Sequence, residues 1–443
     1  MRPGRAMMRI MALALGAAVA VIAIAPPALA QAYGYAANDV RAGIAKRADR
    51  DLRGFYASRG NRPLWLDDSG RVTPAARVLQ DQIDSATLDG VNRKKLKPGD
   101  LAKAIERADW GDDDDAVRAE LTLSRTFAAY VKALRGAPRA QMIYESEALA
   151  PVVPTSGAAL SAVAAAPSLE GYVRAMGWMH PLYAPLRTAL GDAMLNEPQR
   201  RQIALNLDRV RALPAMAAGR YVMVDAAGAR LWMYEDGRVV DTMKVVVGKP
   251  EAQTPMMAGF IRYAIINPYW NIPDDLMPSR VVQPVLAHGV GHLTAQRLQI
   301  LDGWEDDAKV LDPRKVNWRA VAAGQQTIRA RQLPGAANFM GRVKFMFPNP
   351  QGIYLHDTPE REYLAQAARQ HSSGCVRLED AGRLGRWLMG KPLPRGLKGP
   401  EQRLELPEVV PVYITYLTAM PENGQIAFRS DVYGRDRMQL AAR

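Results

Sequence analysis

Residues 353–377 read IYLHDTPEREYLAQAARQHSSGCVR, and their pattern decides how the C-terminal half of the chain folds. The first residues have the apolar and aromatic character of a strand that ends at His356. Tyr354 lies two positions earlier, so a strand presents both side chains on one face. Cys375, the only cysteine in 443 residues, follows 19 residues after that histidine. The segment predicts a strand, a short helix beginning at Pro359, and a return that brings imidazole and thiol together.

The pair of His356 and Cys375 fits nucleophilic catalysis. A thiol with a pKa of about 8.5 is mostly protonated at neutral pH unless a base or a positive charge stabilises the thiolate. The histidine supplies both effects, and Arg377 adds positive charge. Ser373 and Gly374 precede the cysteine, and a glycine allows close approach of a substrate backbone and frees amides for an oxyanion. Taken alone, the spacing also fits an inert buried thiol or an intermolecular disulfide.

The N-terminus has the order of a secretory signal. Three arginines within MRPGRAMMRI precede an apolar run over residues 10–25, and PPALA provides small residues for cleavage. An uncleaved membrane anchor is the competing interpretation. Residues 1–30 are therefore expected to be a signal peptide or an anchor, with the remaining chain in the periplasm, either soluble or associated with the inner membrane. Exported proteins usually pair their cysteines, and one cysteine cannot form an intrachain disulfide.

Composition indicates a globular protein with a basic surface. Apolar residues make up 48% and charged residues 23% of the chain, which excludes a disordered polyelectrolyte. The excess of 58 basic over 45 acidic residues gives +13 and favours anionic surroundings. Outside the cytoplasm these are cell-wall polymer or lipid head groups. No nucleic-acid motif is present and the basic residues are dispersed, so a nucleic-acid partner is not expected; an ordinary solvated surface is the alternative.

The hydrophobic periodicity changes near residue 215. Before it, steps of four, three and four place Leu123, Phe127, Tyr130 and Leu134 on one helix face, and Gly136 follows as a stop. The run DDDD at 112–115 fits an N-terminal cap of that helix better than a cation site. We predict a helical domain over residues 31–215.

Beyond residue 215 the pattern is that of strands. Short runs such as YVMVD, RLWMYEDG and FIRYAIIN alternate with turns, and PENG predicts a hairpin before QIAFR. Residues 278–332 interrupt this pattern with polar and helical segments and predict an inserted subdomain. The expected fold is α+β, with an all-α N-terminal domain followed by a β-rich domain over residues 216–443.

The remaining histidines do not indicate a metal site. His288 and His292 in HGVGH are four apart, as two ligands on a helix would be. Gly289 and Gly291 disfavour that helix, and the glutamate of a zinc-protease motif is absent. We expect no metal and no other cofactor, and a structural role for His180.

The strings IYLHDTP and SSGCVRL together closely resemble the signature of L,D-transpeptidases with a YkuD-type catalytic domain. The resemblance continues through QTPMMAGFIRYAIINPYWNIP, RQLPGAANFMGRVKFMFPNPQGIYLHDTP and FRSDVYGRDR. FYASRGNRPLWLDDSG resembles the helical scaffold of the long, YcbB-like branch. The resemblance thus covers most of the mature chain. It implies a sandwich-like β-rich catalytic domain with the cysteine in a groove, and residues 278–332 as its capping subdomain.

Two features depart from that family. Many members have a histidine where this chain has Ser373, although the serine is also the form in the YcbB-like branch. His371 is displaced from that position by two residues and is not expected to take over the role of that histidine. Long relatives usually carry a small peptidoglycan-binding domain between scaffold and catalytic domain. LRTALGDAMLNEPQRRQIALNLDRV alone fills that interval, and it is too short for such a module.

The resemblance also implies a reaction. Cys375 would attack the carbonyl of the third residue in a tetrapeptide stem, release D-Ala and form a thioester; His356 would transfer the protons while an acceptor amine completes a crosslink. Candidate oxyanion and substrate-binding residues are Tyr354, Ser373, Gly374 and Arg377. Strand packing is the alternative for the tyrosine, and an internal ion pair for the arginine. A backbone carbonyl or Asp357 could orient the histidine.

The expected partners are donor and acceptor stems of peptidoglycan, with carbapenem-type β-lactams as covalent inhibitors. The same Cys/His pair would also serve an L,D-carboxypeptidase or a crosslink-cleaving endopeptidase, and a non-catalytic wall-binding protein is the third class. The acceptor itself stays open among a stem peptide, a lipoprotein lysine, a free D-amino acid and water.

Overall fold

The computed structural model describes residues 38–136, 138, 140–215, 219–305 and 307–441. The predicted signal or anchor at residues 1–30 lies outside them. Within these ranges no helix combines the length and the apolar character needed to cross a membrane.

The N-terminal half of the described chain is helical, as predicted. Asp112 accepts the backbone N–H of Asp115 at 3.0 Å and caps the longest of these helices, and Gly136 ends it, so the acidic run is a cap. The helices are α1 (38–47), α2 (Arg50–Ser58), α3 (Pro74–Asp84), α4 (Pro98–Trp110), α5 (Asp113–Arg135), α6 (Ser156–Ala164), α7 (Leu169–Arg174), α8 (Tyr183–Leu190) and α9 (Glu197–Val210).

Strands dominate after residue 219, and one short strand, β1, lies earlier in the chain. They are β1 (Ile143–Tyr144), β2 (Arg220–Asp225), β3 (Arg230–Glu235), β4 (Arg238–Gly248), β5 (Met257–Ile266), β6 (Trp270–Asn271), β7 (Leu298–Leu301), β8 (Arg329–Gln332), β9 (Val343–Met346), β10 (Leu355–His356), β11 (Gln370–Ser372), β12 (Val376–Leu378), β13 (Gln402–Thr415), β14 (Ala419–Glu422) and β15 (Gln425–Phe428). Asn423 and Gly424, both with positive φ, form the predicted hairpin turn between the last two strands. The α+β fold is confirmed.

The main sheet closes on itself. Its order is β1-β5-β13-β2-β3-β4-β12-β10-β9, and β9 pairs back with β5. Alternate side chains of these strands point inward and form one buried core, which includes Val245, Phe345 and Leu355. Because strands β10 and β12 belong to this closed circuit, the residues on their outward face have fixed positions.

The helices pack on the outer face of strands β2, β3 and β13. Tyr221 and Tyr234 stack there at 4.5 Å between ring centroids and belong to the same buried cluster as the helical residues. Arg209 of α9 forms a buried ion pair of 2.6 Å with Asp436 in α15 (Arg435–Ala441). These contacts join the helical region to the sheet.

The inserted segment has a core of its own. It contains the small sheet β6-β8-β7 and helices α10 (Gln283–His288), α11 (Gly291–Ala295) and α12 (Trp318–Ala322). The core includes Trp270 at one end and Met340 at the other, so it extends beyond the predicted 278–332 on both sides. Helices α13 (Glu362–Ala365) and α14 (Ala381–Met389) lie outside it, in the main domain.

Candidate active site

Strands β10 and β12 bring the predicted residues onto one face. They pair in parallel with His356 opposite Arg377 and Leu355 opposite Val376. Leu355 and Val376 are fully buried in the core, and neighbouring side chains along a strand alternate between faces. The outward face therefore carries Tyr354, His356, Cys375 and Arg377.

The His356 ring is buried and oriented by the backbone. Its Nδ1 lies 2.6 Å from the carbonyl oxygen of Asp357, and a carbonyl only accepts, so Nδ1 carries the hydrogen. In the neutral ring Nε2 is then an unprotonated base. Burial, followed by the charges of Arg377 and Lys344, lowers the pKa of His356 to about 3. Of the two orienting groups expected from the sequence, the carbonyl holds the ring, while the Asp357 carboxylate binds Arg361 at 2.6 Å.

The Cys375 thiol is half-buried and uncharged at rest. Its Sγ lies 3.6 Å from the carbonyl oxygen of Gly352, in reach of a weak S–H donation. Burial raises the pKa of Cys375, while the backbone amide of Tyr354 and the Arg377 guanidinium act in the opposite direction. A neutral thiol and a neutral imidazole are therefore both carried by the outward face.

The turn before Cys375 requires a glycine. Gly374 has φ +112°, in the region that side chains rarely adopt, and a Cβ there would stand 3.2 Å from Ile353. The Ser372 hydroxyl donates to the Cys375 carbonyl at 2.6 Å and accepts the Gly374 N–H at 3.1 Å. The expectation that the Gly374 amide is free for an oxyanion is therefore wrong for this conformation, because Ser372 already occupies it. Ser373 is exposed.

Two candidate oxyanion donors remain. The hydroxyl of Tyr354 and the backbone N–H of Cys375 make no hydrogen bond to any described residue. Burial, followed by the neighbouring Cys375, raises the pKa of Tyr354, so its hydroxyl stays protonated and able to donate. Tyr354 and Cys375 are the residues immediately before β10 and β12.

A buried set of residues that the sequence did not single out supports this turn. The Thr254 hydroxyl donates to the Gly374 carbonyl at 2.7 Å and accepts the Gly248 N–H at 2.8 Å. Tyr433 donates its hydroxyl to the Gly248 carbonyl at 2.5 Å, and Arg435 donates to the Thr254 carbonyl at 2.9 Å. Thr254 and Tyr433 lie in QTPMMAG and VYGRDR, so the signal that could have found them is their place in the strings that carry the family resemblance.

Arg377 is held by an internal ion pair. Its guanidinium binds the carboxylate of Glu360 and lies 5.9 Å from the Tyr363 ring centroid. His371 is exposed, stacks on Tyr363 at 4.6 Å, and has Nε2 3.0 Å from the Ala368 carbonyl. The short helix α13 begins at Glu362, later than predicted, since a turn at the Thr358 hydroxyl precedes it.

The other histidines have separate settings. Gly289, at φ +79°, ends α10 at His288, and His292 lies in α11, so the pair does not share a helix face. His180 is buried; its Nδ1 accepts the Leu182 N–H at 3.2 Å, which leaves Nε2 to donate to the Tyr221 hydroxyl at 3.0 Å.

Two known families match parts of the chain. Residues 219–414 match the YkuD family, described as the L,D-transpeptidase catalytic domain, and residues 50–190 match the Scaffold domain. The chain carries an L,D-transpeptidase catalytic domain and a scaffold domain. The range matched by the L,D-transpeptidase family includes both His356 and Cys375. Only residues 191–218 separate the two matches, and no peptidoglycan-binding domain is found among the matched families.

Relatives have the same description. A protein of Haemophilus influenzae named "Putative L,D-transpeptidase" is 26% identical over 404 residues, which cover 87% of this chain and 78% of the relative. A solved L,D-transpeptidase from Mycobacterium smegmatis is 13% identical with a TM-score of 0.23, over 45% of this chain and 59% of that one. The catalytic domain of the E. faecium L,D-transpeptidase acylated by ertapenem is 14% identical with a TM-score of 0.22, over 45% of this chain and 98% of that one.

Proposed function

We propose that the protein is a peptidoglycan L,D-transpeptidase that crosslinks third residues of stem peptides. The observation that carries the proposal is the His356 ring, whose Nδ1 is bound to a carbonyl and whose unprotonated Nε2 is left on the face that also carries Cys375. A nucleophile beside an oriented base is the arrangement that covalent acyl transfer needs.

In the proposed acylation, the Cys375 thiol gives its proton to Nε2 of His356, and Sγ bonds to the third-residue carbonyl of a tetrapeptide donor. The Cys375 N–H and the Tyr354 hydroxyl donate to the resulting oxyanion. When the C–N bond to D-Ala breaks, His356 returns the proton to the departing amine. A thioester and free D-Ala remain.

In the proposed transfer, the amine of an acceptor stem attacks the thioester carbonyl and loses a proton to His356. The C–S bond then breaks, and the thiol is restored when it recovers the proton. Arg377 supports the thiolate in both halves because its charge lowers the pKa of Cys375. Arg377 also lowers the pKa of His356 and so disfavours the imidazolium, while its guanidinium forms an ion pair with Glu360.

We further propose that the domain acts in the periplasm, on the basis of the N-terminal signal pattern, and that carbapenem-type β-lactams acylate Cys375. Their strained carbonyl would be attacked by the same thiolate. Whether the signal is cleaved or retained as an inner-membrane anchor is decided by N-terminal sequencing of the protein from periplasmic and membrane fractions.

The test incubates purified protein with disaccharide-tetrapeptides and follows the products by mass spectrometry. Dimers with released D-Ala support transpeptidation, tripeptides alone indicate a carboxypeptidase, cleavage of added crosslinked dimers indicates an endopeptidase, and unchanged substrates indicate a binding protein. Cys375→Ala is the matched control and should lose both turnover and the meropenem adduct. An adduct retained at another residue would contradict the assignment of the nucleophile.

A further inference from the structure

A cleft of about 1020 Å³ opens at the C-terminal ends of β10 and β12 and includes Asp357, the residue after His356. Its wall includes Asp357, Thr358 and Pro359, which directly follow the histidine, together with the first half of α14 and the loop 392–397. The Asn267 side chain holds that loop, since it donates to the Leu397 carbonyl at 2.9 Å. The cleft is therefore a built feature of the catalytic domain.

The acidic groups of the cleft are already satisfied. The Asp357 carboxylate binds Arg361 and the backbone N–H of Arg342. Glu379 accepts the backbone N–H of Lys244 at 2.9 Å. Asp380 caps α14, where it accepts the N–H of Arg383 at 2.8 Å. These three carboxylates stabilise the fold and have structural partners.

The basic groups of the cleft exceed these acids. Its lining contains Arg342, Arg361, Arg383, Arg386 and Arg395. Arg361 binds Asp357, and Arg383 lies within 4.0 Å of Asp241, Glu379 and Asp380. The guanidinium groups of Arg342, Arg386 and Arg395 are exposed and form no ion pair or hydrogen bond with any described residue. Three uncommitted cations thus line one concave surface.

One arginine of the cleft, Arg342, lies on the sheet face that carries the base. Strand β9 pairs with β10 so that Lys344 lies opposite His356. Arg342 lies two residues before Lys344, and its carbonyl accepts the Asn267 N–H at 3.0 Å, so the strand pairing continues there. Residues two apart share a face, which places the Arg342 side chain on the His356 side of the sheet. A ligand bound by Arg342 would therefore lie on the sheet face that carries His356.

We propose that this surface, which we call the arginine cleft, binds the free carboxylates of the acceptor stem peptide and presents its amine to His356. The inference rests on the proposed function, since the acceptor amine must give its proton to that imidazole. Guanidinium groups match carboxylates with two parallel hydrogen bonds, and stem peptides carry several free carboxylates.

The test measures binding, which does not depend on turnover. The tripeptide L-Ala-γ-D-Glu-meso-diaminopimelate is titrated by calorimetry into the native chain, into R342Q/R386Q/R395Q, and into the control R107Q/R118Q/R319Q. The control replaces three exposed arginines outside the cleft that also form no side-chain ion pair. We expect R342Q/R386Q/R395Q, the cleft triple, to raise Kd about tenfold, because the binding free energies of three exposed ion pairs add up to that factor. The control triple should leave Kd unchanged. A tripeptide with amidated carboxyl groups should bind the native chain and the cleft triple equally weakly.

Equal tripeptide affinity in all three proteins overturns the arginine cleft as an acceptor site. A loss of affinity in the control triple as large as that in the cleft triple overturns it as well. Inorganic phosphate and vesicles containing phosphatidylglycerol test the other anion sources. If only these probes respond to the cleft triple, the surface binds phosphate groups and the proposal is wrong. D-Ala release and adduct formation at Cys375, measured on the native chain, test the proposed function separately, so either idea can fail while the other stands.

Discussion

Two histidines lie buried in different regions of the molecule, and only one has the arrangement of a base. His180 and His356 are 1% and 2% exposed, and burial is the largest cause that lowers the pKa of each to about 3. His180 uses both ring nitrogens, on the Leu182 N–H and the Tyr221 hydroxyl. His356 uses only Nδ1. A strongly lowered pKa therefore does not mark the site; an uncommitted nitrogen on the face of a nucleophile does.

Their surroundings explain the difference. The His180 ring lies edge-on to Tyr221 and Tyr234, at 6.1 and 5.7 Å between centroids, where the helices meet the sheet. Packing and hydrogen bonds on every side fix that junction. His356 instead faces Arg377 and Lys344, whose charges oppose its protonation. The first setting joins the helices to the sheet, and the second keeps the His356 ring neutral.

The largest expected effect is that of His356→Gln. The variant removes the base, so acylation of Cys375 by a tetrapeptide donor should slow by about 10²- to 10⁴-fold, the usual contribution of general acid–base catalysis. Single-turnover mass spectrometry of the thioester measures this rate. A loss of less than tenfold would remove the distinction between the two histidines.

The next effect concerns the support of the nucleophile. Thr254→Val keeps the shape but removes the hydroxyl that joins the Gly374 carbonyl to the Gly248 N–H. Because small displacements of a reacting group are costly, we expect kcat to fall about tenfold to hundredfold with little change in KM. Thr254→Ser should restore most of kcat. If the serine variant is as slow as the valine variant, the hydroxyl does not position Cys375, and urea unfolding of both variants separates this outcome from lost stability.

His180→Leu should change stability and leave the chemistry intact. It leaves the Leu182 N–H and the Tyr221 hydroxyl buried without their partner, so the free energy of unfolding should fall by about 1–3 kcal/mol. The kcat of the folded variant should stay within about twofold of the native value, as for changes remote from a site. Urea unfolding and steady-state rates on the same preparation measure the two quantities. A large loss of kcat at full stability would place His180 in the catalytic machinery.

The two histidines also make stability depend on pH. In the unfolded chain a histidine binds a proton below about pH 6.5, whereas the folded chain, with both pKa values near 3, does not. The contribution of each neutral histidine to the free energy of unfolding is therefore complete above pH 6.5. It is lost as the pH falls towards 3, by at most about 1.4 kcal/mol per pH unit for each histidine. Unfolding by urea at pH 7.0, 6.0 and 5.5 tests this range, in which carboxylates contribute least. The free energy of unfolding should decline less steeply with falling pH in His180→Leu than in the native chain. Identical declines would contradict a contribution of His180 to the pH dependence.

Local patterns predicted the elements well, because their causes are local. Asp112 caps α5 and the Asn423–Gly424 turn forms the hairpin for reasons contained in a few neighbouring residues. The pairing of His356 with Cys375 came from the resemblance, and the parallel register of β10 and β12 then places both side chains on one face. Their catalytic roles stay predictions until the rates are measured.

Contacts between distant residues could not be predicted in this way. Thr254 and Gly374 are 120 positions apart, and nothing in either neighbourhood encodes their hydrogen bond. The loss of the Gly374 amide as an oxyanion donor depends on one rotamer of Ser372. The inserted subdomain is wider than predicted because Trp270 and Met340 join its core only through tertiary packing.

The smallest expected effect is that of His371→Ala, which completes the comparison with a third histidine. His371 lies four residues before the nucleophile in sequence, yet its ring is exposed, stacked on Tyr363 and directed to the Ala368 carbonyl. Removal of an exposed ring without a buried partner should change kcat/KM by no more than about twofold. Steady-state crosslinking rates, with native protein and Thr254→Val assayed in parallel, provide the scale. A loss as large as that of Thr254→Val would mean that proximity in sequence, rather than an uncommitted nitrogen on the strand face, selects the working histidine.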